Sequence, residues 1–342
     1  MCMYFTKGIN QNGYIMCLNC NMNKYEHFIF TYIYDMTSQC DDIVLLIQEY
    51  IKNNNYNNIA CGYDHSIALL QDNTVRCWGD NDYGKCDVPD SIQGKVVSVN
   101  CYDNLSCALL YDMTVKCWGY NMYGQCNVPD SIQGRVLSIN SGERGVCVLL
   151  DDNTVECWGY NMDGQCNPPD SIQGKVISVS YGRYHLIALL NDNTVKCWGN
   201  NNCKECDVPD SIQGKVQSIA CSHSHSCVLL NDNTIKCWGY NEFKQCNPPD
   251  SIQGKIVSIE CGYCYVVAIL EDNTVKCWGS NYHGECNVPD SIQGRVVSVS
   301  CGAFYAIAIL NDNTVGFWGV GIRYSIRMPP DSIQKRIMNQ VQ

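Results

Sequence analysis

Short runs of hydrophobic residues, each bounded by turn-forming residues, recur along most of the chain. In one stretch KVVSVNC (95–101) alternates between apolar and polar positions, SCALL (106–110) is short and apolar, and TVKCW (114–118) is rich in β-branched and aromatic residues. Runs of this kind, separated by Gly, Pro, Asn and Asp, are typical of antiparallel β-strands joined by tight turns. The pattern therefore predicts three strands and no helix in each unit.

This three-strand unit repeats every 40 residues. The seven Trp residues of the chain all follow the period, at Trp78, Trp118, Trp158, Trp198, Trp238, Trp278 and Trp318. A period of this size indicates a solenoid, a propeller or an array, and closing small sheets into a ring protects their edges. We predict an all-β fold in which residues 56–342 form a seven-bladed β-propeller with Trp packing in every blade. An open solenoid is the alternative, but a strand-like tail, KRIMNQV (335–341), favours closure.

The turn between the second and third strands predicts a hairpin register. In SIALLQDNTVRCW (66–78), Asn73 occupies the third loop position. Asn tolerates the left-handed backbone conformation that a three-residue hairpin loop requires. This register places residue 67 opposite residue 77.

Residues 1–55 do not repeat, and we predict that they form an N-terminal extension. EHFIFTYIYD (26–35) is typical of a strand. DDIVLLIQEYIKNNN (41–55) predicts a short helix, with acidic residues at its start and an apolar stripe along one face. We expect the extension to pack on the propeller, and a helix that binds a partner is the alternative.

Composition and charge narrow the function. The net charge is −11, and both signs are scattered through every repeat. The sequence has no basic stripe of the kind that binds nucleic acid, so we expect no such binding. The sequence has no run of 18 apolar residues, so we expect no membrane span. Its first residues do not show the pattern of a secretory signal. The compartment is therefore unknown, with the cytoplasm as the default. We find no nucleotide loop and no nucleophile motif, so we expect neither an enzyme nor a cofactor.

The repeats resemble a known family. SIALLQDNTVRCWGDNDYGKCDVP (66–89) and LIALLNDNTVKCWG (186–199) are similar to the regulator of chromosome condensation repeat family. The spacing and the VPDSIQGKVVSV linker are most similar to the compact repeats of bacterial proteins such as β-lactamase inhibitory protein II. The resemblance implies a seven-bladed propeller with three main strands in each blade. A WD-repeat propeller is the alternative, although no repeat has a Gly-His start or a Trp-Asp end.

Comparing the seven copies separates constant segments from variable ones. PDSIQG is identical in six copies and DNT in six of seven, whereas the segments equivalent to 62–65 and 80–85 differ in every copy. Loops alternate between the two ends of an antiparallel sheet. Both variable segments therefore fall on one rim of the propeller, called here the variable rim, and both constant segments fall on the opposite, constant rim.

The variable rim is rich in aromatic residues, which are favoured at binding surfaces. We predict that it binds a protein partner, and drift in loosely constrained loops is the alternative. The candidate binding residues are Tyr63, Asp64, Tyr83, Tyr123, Arg144, Tyr184, His185, His223, Phe243, Tyr263, Tyr265, Tyr282, Phe304 and Tyr305.

Two other functions are open. The namesake of the family exchanges guanine nucleotide on a small GTPase and docks on chromatin, so the resemblance implies a similar regulator. Little room for an inserted catalytic segment and an acidic charge balance weigh against that function here. A disulfide-stabilised structural or particle protein is the third hypothesis.

The chain contains 26 Cys residues. One set recurs at a spacing of nine, as in Cys77 and Cys86, and the loss of both members in the seventh repeat hints at pairing. A second set lies opposite across the predicted hairpin, and its candidate disulfides are Cys107–Cys117, Cys147–Cys157 and Cys227–Cys237. Free buried thiols are the alternative, because a reducing compartment disfavours disulfides. CSHSHSC (221–227) alternates metal-binding residue types, but it spans a loop and we expect no metal there.

Overall fold

The computed structural model describes residues 59–70, 72–312 and 314–320. Within these ranges the chain forms seven three-stranded antiparallel sheets whose strands are adjacent in chain order. No helix of the described residues is long and apolar enough to cross a membrane. The predicted N-terminal strand and helix (26–35 and 41–55) and the strand-like tail (335–341) lie outside the described residues.

Each sheet is one blade, and its strands are named in chain order. The first four blades consist of β1 (Ile59–Cys61), β2 (His65–Leu69), β3 (Val75–Gly79), β4 (Val96–Tyr102), β5 (Leu105–Leu110), β6 (Val115–Gly119), β7 (Val136–Ser141), β8 (Gly145–Leu150), β9 (Val155–Gly159), β10 (Val176–Tyr181), β11 (His185–Leu190) and β12 (Val195–Gly199). The last three consist of β13 (Val216–Cys221), β14 (His225–Leu230), β15 (Ile235–Gly239), β16 (Ile256–Cys261), β17 (Tyr265–Leu270), β18 (Val275–Gly279), β19 (Val296–Cys301), β20 (Tyr305–Leu310) and β21 (Val315–Gly319).

Single turns of 3-10 helix account for the remaining regular structure of the described residues. Six of them lie in the constant connections between blades, at Asp90–Ile92, Asp130–Ile132, Asp170–Ile172, Asp210–Ile212, Asp250–Ile252 and Asp290–Ile292, and one spans Asp82–Gly84. The connection also covers a sheet edge. Gln133 accepts a hydrogen bond from Val115 N (2.9 Å) and donates one to Val115 O (3.3 Å). These two hydrogen bonds explain why the Gln of PDSIQG hardly varies, because its side-chain amide pairs with the backbone N–H and C=O groups that an edge strand leaves unpaired.

The ring closes where the seventh blade packs against the first. Ile59 and Trp78 share a buried cluster with Tyr305 and Ile307. The Tyr305 hydroxyl donates a hydrogen bond to the backbone oxygen of His65 (2.7 Å). The predicted seven-bladed propeller is therefore confirmed, and the open solenoid is excluded.

The Trp residues join each blade to the one before it. Trp118 Nε1 donates to Lys85 O (3.0 Å), and Trp198 Nε1 donates to Gln165 O (3.0 Å). Around the Trp rings lie clusters of aliphatic residues from two neighbouring sheets. The predicted packing role of Trp is confirmed.

The hairpin turns adopt the predicted geometry. In the fourth blade Leu190 N donates to Thr194 O (2.9 Å), and Asn193 has a φ of 62°. The register pairs Ile67 with Cys77, as expected. In the second blade Met113 stands where the other described turns have Asn, and it takes the same left-handed conformation, with a φ of 59°.

The cysteine sulfurs form one close pair in each of the first six blades. The three predicted cross-strand pairs are Cys107–Cys117 (3.0 Å), Cys147–Cys157 (2.8 Å) and Cys227–Cys237 (2.7 Å). Where the second strand carries Ile or Val instead, the third-strand Cys faces the Cys nine residues later, in the pairs Cys77–Cys86 (2.6 Å), Cys197–Cys206 (3.0 Å) and the disulfide Cys277–Cys286. The predicted pairing geometry is present, and oxidation of the three cross-strand pairs stays a prediction.

Replacing Met113 by Asn should stabilise the protein by roughly 1 kcal/mol, because a left-handed conformation is costly for most residues and mild for Asn. The matched control is Asn153→Met in the third blade, which should destabilise by a similar amount. Urea unfolding followed by Trp fluorescence measures both. Equal stabilities for the two variants and the wild type would contradict this account of the turn.

In oxidised protein, Cys117 should be linked to Cys107 and not to Cys126. The variant Cys107→Ile makes the second blade resemble the first, so it should redirect Cys117 to Cys126. Non-reducing peptide mapping by mass spectrometry distinguishes the two links. Each short link should add about 2–3 kcal/mol to the free energy of unfolding. A Cys117–Cys126 link in the wild type would show that the hairpin register does not choose the partner.

Candidate functional site

The two variable loops of each blade lie side by side on the variable rim. Tyr120 N donates to Asn104 O (2.9 Å), and the equivalent bond joins Tyr160 N to Arg144 O (2.9 Å). Gly119 makes this approach feasible. Its φ is +106°, and a Cβ there would lie 2.4 Å from Asn104 O, so any side chain would push the loops apart.

Polar side chains at two positions hold the backbone of the outer loop, which is the variable loop that follows the third strand of each blade. Asn121 Oδ1 accepts a hydrogen bond from Cys126 N (2.8 Å). Gln125 is fully buried, and its Oε1 accepts from Tyr123 N (2.9 Å). The role of the Gln125 position was not predicted from the sequence, although all described copies carry a long polar residue there: Lys85, Gln125, Gln165, Glu205, Gln245 and Glu285.

A ring of equivalent residues surrounds the mouth of the central channel on this rim. Its members come from the first loop of each blade, and they are Tyr63, Asp103, Glu143, Arg183, His223, Tyr263 and Ala303. Six of the seven line a cavity of about 210 Å³, whose remaining walls include Tyr102 and Ser222. The site is therefore assembled from all seven blades.

An ionic network occupies one side of the ring. Glu143 forms an ion pair with Arg183 and accepts a hydrogen bond from the Tyr184 hydroxyl (3.0 Å). Arg183 NH1 lies 2.6 Å from His223 Nε2. Burial, with a contribution from the Arg183 charge, lowers the pKa of His223 to about 4, so His223 is neutral near pH 7 and accepts from Arg183.

Asp103 lies beside this network. Burial, reinforced by the negative charge of Glu143, raises the pKa of Asp103 to about 6. The charge at the channel mouth therefore changes in the weakly acidic range.

Aromatic rings occupy the other side. Tyr63 meets Phe304 edge to face (centroids 5.7 Å apart), and Tyr263 lies 5.6 Å from Phe304. His223 lies 3.9 Å from Tyr263 and joins the aromatic side to the ionic network.

A second aromatic group runs along the outer part of the rim. Arg144 lies over the rings of Tyr123, Tyr160 and Tyr184, at 5.1, 5.7 and 5.9 Å from the centroids. Cation–π contacts of this kind fix an Arg side chain while leaving part of its polar edge accessible. Between the outer loops of the fifth and sixth blades, Phe243 contacts Tyr282 edge to face (5.7 Å).

Most of the predicted binding residues are accessible on the variable rim. Tyr83 and Tyr282 are the most exposed of them, at 64% and 80%. Eight others are partly exposed, and these are Tyr63, Tyr123, Arg144, Tyr184, His223, Phe243, Tyr263 and Phe304.

Four predicted residues are buried, and their placement on the accessible rim was wrong: Asp64, His185, Tyr265 and Tyr305. The last three begin the middle strands, so their side chains point into the next blade. His185 Nε2 lies 3.0 Å from Ser226 Oγ, and the Tyr265 hydroxyl donates to Gly302 O (3.0 Å). They are packing residues.

Several rim residues were missed. Met122 and Met162 are 74% and 82% exposed, and Asp103, Glu143 and Arg183 form much of the channel mouth. The Met residues occur in the variable loops, so a search that included Met would have found them. The ionic residues are brought together by three different blades, which no local pattern reveals.

The fold and the loop arrangement define a seven-bladed β-propeller with one variable rim. Five segments match the regulator of chromosome condensation (RCC1) repeat model, at residues 57–85, 96–125, 176–205, 216–245 and 256–285. These five segments are therefore regulator of chromosome condensation repeats, as the sequence indicated. No curated protein matches the chain significantly.

Solved structures share the fold. The CRINKLY WD40 ectodomain of the Arabidopsis thaliana receptor kinase ACR4 has 24% identity over 80% of this chain and 97% of that chain, with a TM-score of 0.66. The ectodomain of the Physcomitrella patens receptor kinase CR4 has 23% identity over 78% and 73%, with a TM-score of 0.63. Prp20p from Saccharomyces cerevisiae has 18% identity over 81% and 84%, with a TM-score of 0.57.

Because the pKa of Asp103 is raised, its stabilising contribution is full at low pH and is lost as the pH rises through about 6. Asp103→Asn cannot ionise, so its stability relative to wild type should rise by on the order of 1 kcal/mol between about pH 5 and about pH 8. Asp192→Asn is the control, because hydrogen bonds from Thr194 lower the pKa of Asp192, so this carboxyl is ionised in both states from about pH 5 to about pH 8 and the stability of the variant relative to wild type should not change over that range. Urea unfolding at the two pH values measures both. A relative stability of Asp103→Asn that does not change with pH would contradict the raised pKa.

Proposed function

We propose that this chain is a non-catalytic scaffold that binds a protein partner through the variable rim. One observation carries the proposal. Of the six exposed large hydrophobic side chains in the described residues, four lie in the outer loops of this rim: Tyr83, Met122, Met162 and Tyr282. Exposed aromatic and Met side chains gathered on one face favour a protein interface over a solvated surface.

The arrangement of the rim supports this function. Tyr and Arg are the residues that most often dominate binding energy, and Arg144 is already held between Tyr rings. Its loops are fixed by buried side chains such as Gln125, so ordering them on binding costs little conformational entropy. A rigid scaffold that carries variable loops is a common way to build a recognition surface.

Relatives of the same fold are consistent with protein binding. The crystal structure of Prp20p was described together with the binding of that protein to Gsp1p and histones. At 18% identity the likeness concerns the fold alone, so we propose the mode of use and not the same partners. Exchange activity on a small GTPase and a role as a structural particle protein remain alternatives.

Affinity capture from source cells, followed by binding measurements on the purified partner, tests the proposal. The test variant replaces Tyr83, Met122, Met162 and Tyr282 by Ser; these side chains are well exposed, so the fold should be unaffected. We expect the affinity to fall by about 100-fold, corresponding to roughly 3 kcal/mol.

The control replaces four exposed lysines of the constant rim by Ser, at Lys95, Lys175, Lys215 and Lys255. This variant should bind like wild type. Loss of binding only in the control would place the interface on the constant rim. A small GTPase whose nucleotide release is accelerated would favour the exchange-factor alternative, and the absence of any partner specific to the wild type would favour the structural one.

A further inference from the structure

A cluster of metal-binding residue types lies buried between the fifth and sixth blades, apart from the accessible rim. His225 begins β14, Cys227 lies two residues later on the same side of the strand, and Cys261 ends β16 in the next blade. Their ligand atoms all lie within 4.8 Å of one another, and all three residues are buried. The described part of the chain contains no other group of three such residues at this separation.

His225 is the unusual member of this cluster. It is fully buried, yet neither of its ring nitrogens has a hydrogen-bond partner among the described residues. A buried polar group without a partner is costly and therefore calls for an explanation.

The equivalent histidines show what His225 lacks. His65 Nε2 lies 2.9 Å from Ser106 Oγ, and His185 Nε2 lies 3.0 Å from Ser226 Oγ, so each is paired with Ser in the next blade. The residue at the corresponding place beyond His225 is Val266, which has no polar side-chain atom. His225 therefore occupies the same position as His65 and His185 but has no Ser hydroxyl in the next blade to bond.

The two thiols of Cys227 and Cys261 also meet a histidine only at the interface between the fifth and sixth blades, among the described residues. Cys107 and Cys147 occupy the same repeat position as Cys227, but the position equivalent to Cys261 in their following blades is Ser141 or Tyr181. Neither of these blades has a histidine at the His225 position, where Leu105 and Gly145 stand instead. Both thiols and the imidazole thus meet at a single blade interface.

We propose that His225, Cys227 and Cys261 form a binding site for a thiophilic divalent cation such as Zn²⁺, which links the fifth blade to the sixth. Zinc binds Cys sulfur at about 2.3 Å and His nitrogen at about 2.0 Å, so tetrahedral ligand atoms lie roughly 3.5 Å apart. The observed separations of up to 4.8 Å must therefore shorten by about 1 Å on binding. Both thiols lose their protons to solvent on binding, and the neutral imidazole coordinates through a ring nitrogen.

Cys237 is a candidate fourth ligand in reduced protein, where the Cys227–Cys237 disulfide is absent, although its sulfur lies outside the group of atoms that are all within 4.8 Å of one another. Its sulfur lies 2.7 Å from that of Cys227 on the neighbouring strand. The set then becomes three Cys and one His, which is a common composition of closed structural zinc sites.

This site differs from the one considered in the sequence. CSHSHSC (221–227) offers four alternating candidates, but the fold separates them. His223 lies on the variable rim beside Arg183, whereas Cys261 enters from 34 residues further along the chain. Only His225 and Cys227 of that run belong to the cluster.

Cobalt binding to the full-length, chemically reduced and metal-free protein tests the proposal. Tetrahedral Co²⁺ bound to thiolates gives a charge-transfer band and intense visible bands, and Zn²⁺ should displace it. Because the chain has many other Cys residues, the informative quantity is the difference between variants. We expect the wild type to bind about one equivalent more than Cys261→Val and His225→Gln, or to bind it about 100-fold more tightly.

The matched controls are Cys101→Val and His185→Gln, which alter the same repeat positions in other blades and should keep the wild-type spectrum. Circular dichroism checks that each variant is folded. X-ray absorption at the zinc edge of the unaltered protein provides a second measurement that does not depend on variants. A wild-type spectrum without thiolate bands, folded test variants that bind like wild type, or a zinc shell without sulfur would each overturn the proposal.

Discussion

The hydrogen bond that six of the seven Trp indoles donate to a backbone carbonyl of the preceding blade is the interaction on which the rest of the structure depends. A three-stranded sheet is too small to bury both of its faces, so it is stable only between neighbours. The accepting carbonyl belongs to the residue whose side chain fixes the outer variable loop. Gln125 illustrates this double role, because its carbonyl receives Trp158 Nε1 (3.0 Å) while its side chain holds Tyr123 N. The same residue therefore contributes both to the packing of neighbouring blades and to the position of the variable loop.

This coupling explains why the rim is free to vary. The outer loop is held by Asn121 and Gln125, whose side-chain oxygens accept hydrogen bonds from backbone N–H groups of the loop. At most of the positions between these two residues, the side chain makes no hydrogen bond to the blade. Substitution there therefore changes the surface without unfolding the blade. On the constant rim the loop residues themselves stabilise the sheet. The Gln133 side chain bonds the backbone of the edge strand, and the turn requires a left-handed conformation at Met113, so these positions vary little.

Local features could be predicted from the sequence, and features that join blades could not. The strands, the register that places Ile67 opposite Cys77 and the division into two rims follow from periods and turn chemistry within one repeat. The burial of His185 and Tyr265 was missed because it depends on which residue begins the middle strand, and a shift of one residue reverses the side of a side chain. The contact of Glu143 with Arg183 required the ring itself, since these residues are 40 positions apart.

Near-identical repeats make each departure from the pattern informative. At the channel mouth, the seven equivalent positions are not distributed at random around the ring. Asp103, Glu143 and Arg183 follow one another on consecutive blades, whereas Tyr263 and Tyr63 lie on the other side with Phe304 between them. A partner that meets this surface encounters a charged half and an aromatic half. Because the two halves differ in chemistry, a scaffold with sevenfold internal repetition presents a surface without rotational symmetry, and a partner of the kind proposed would fit it in only one rotational setting.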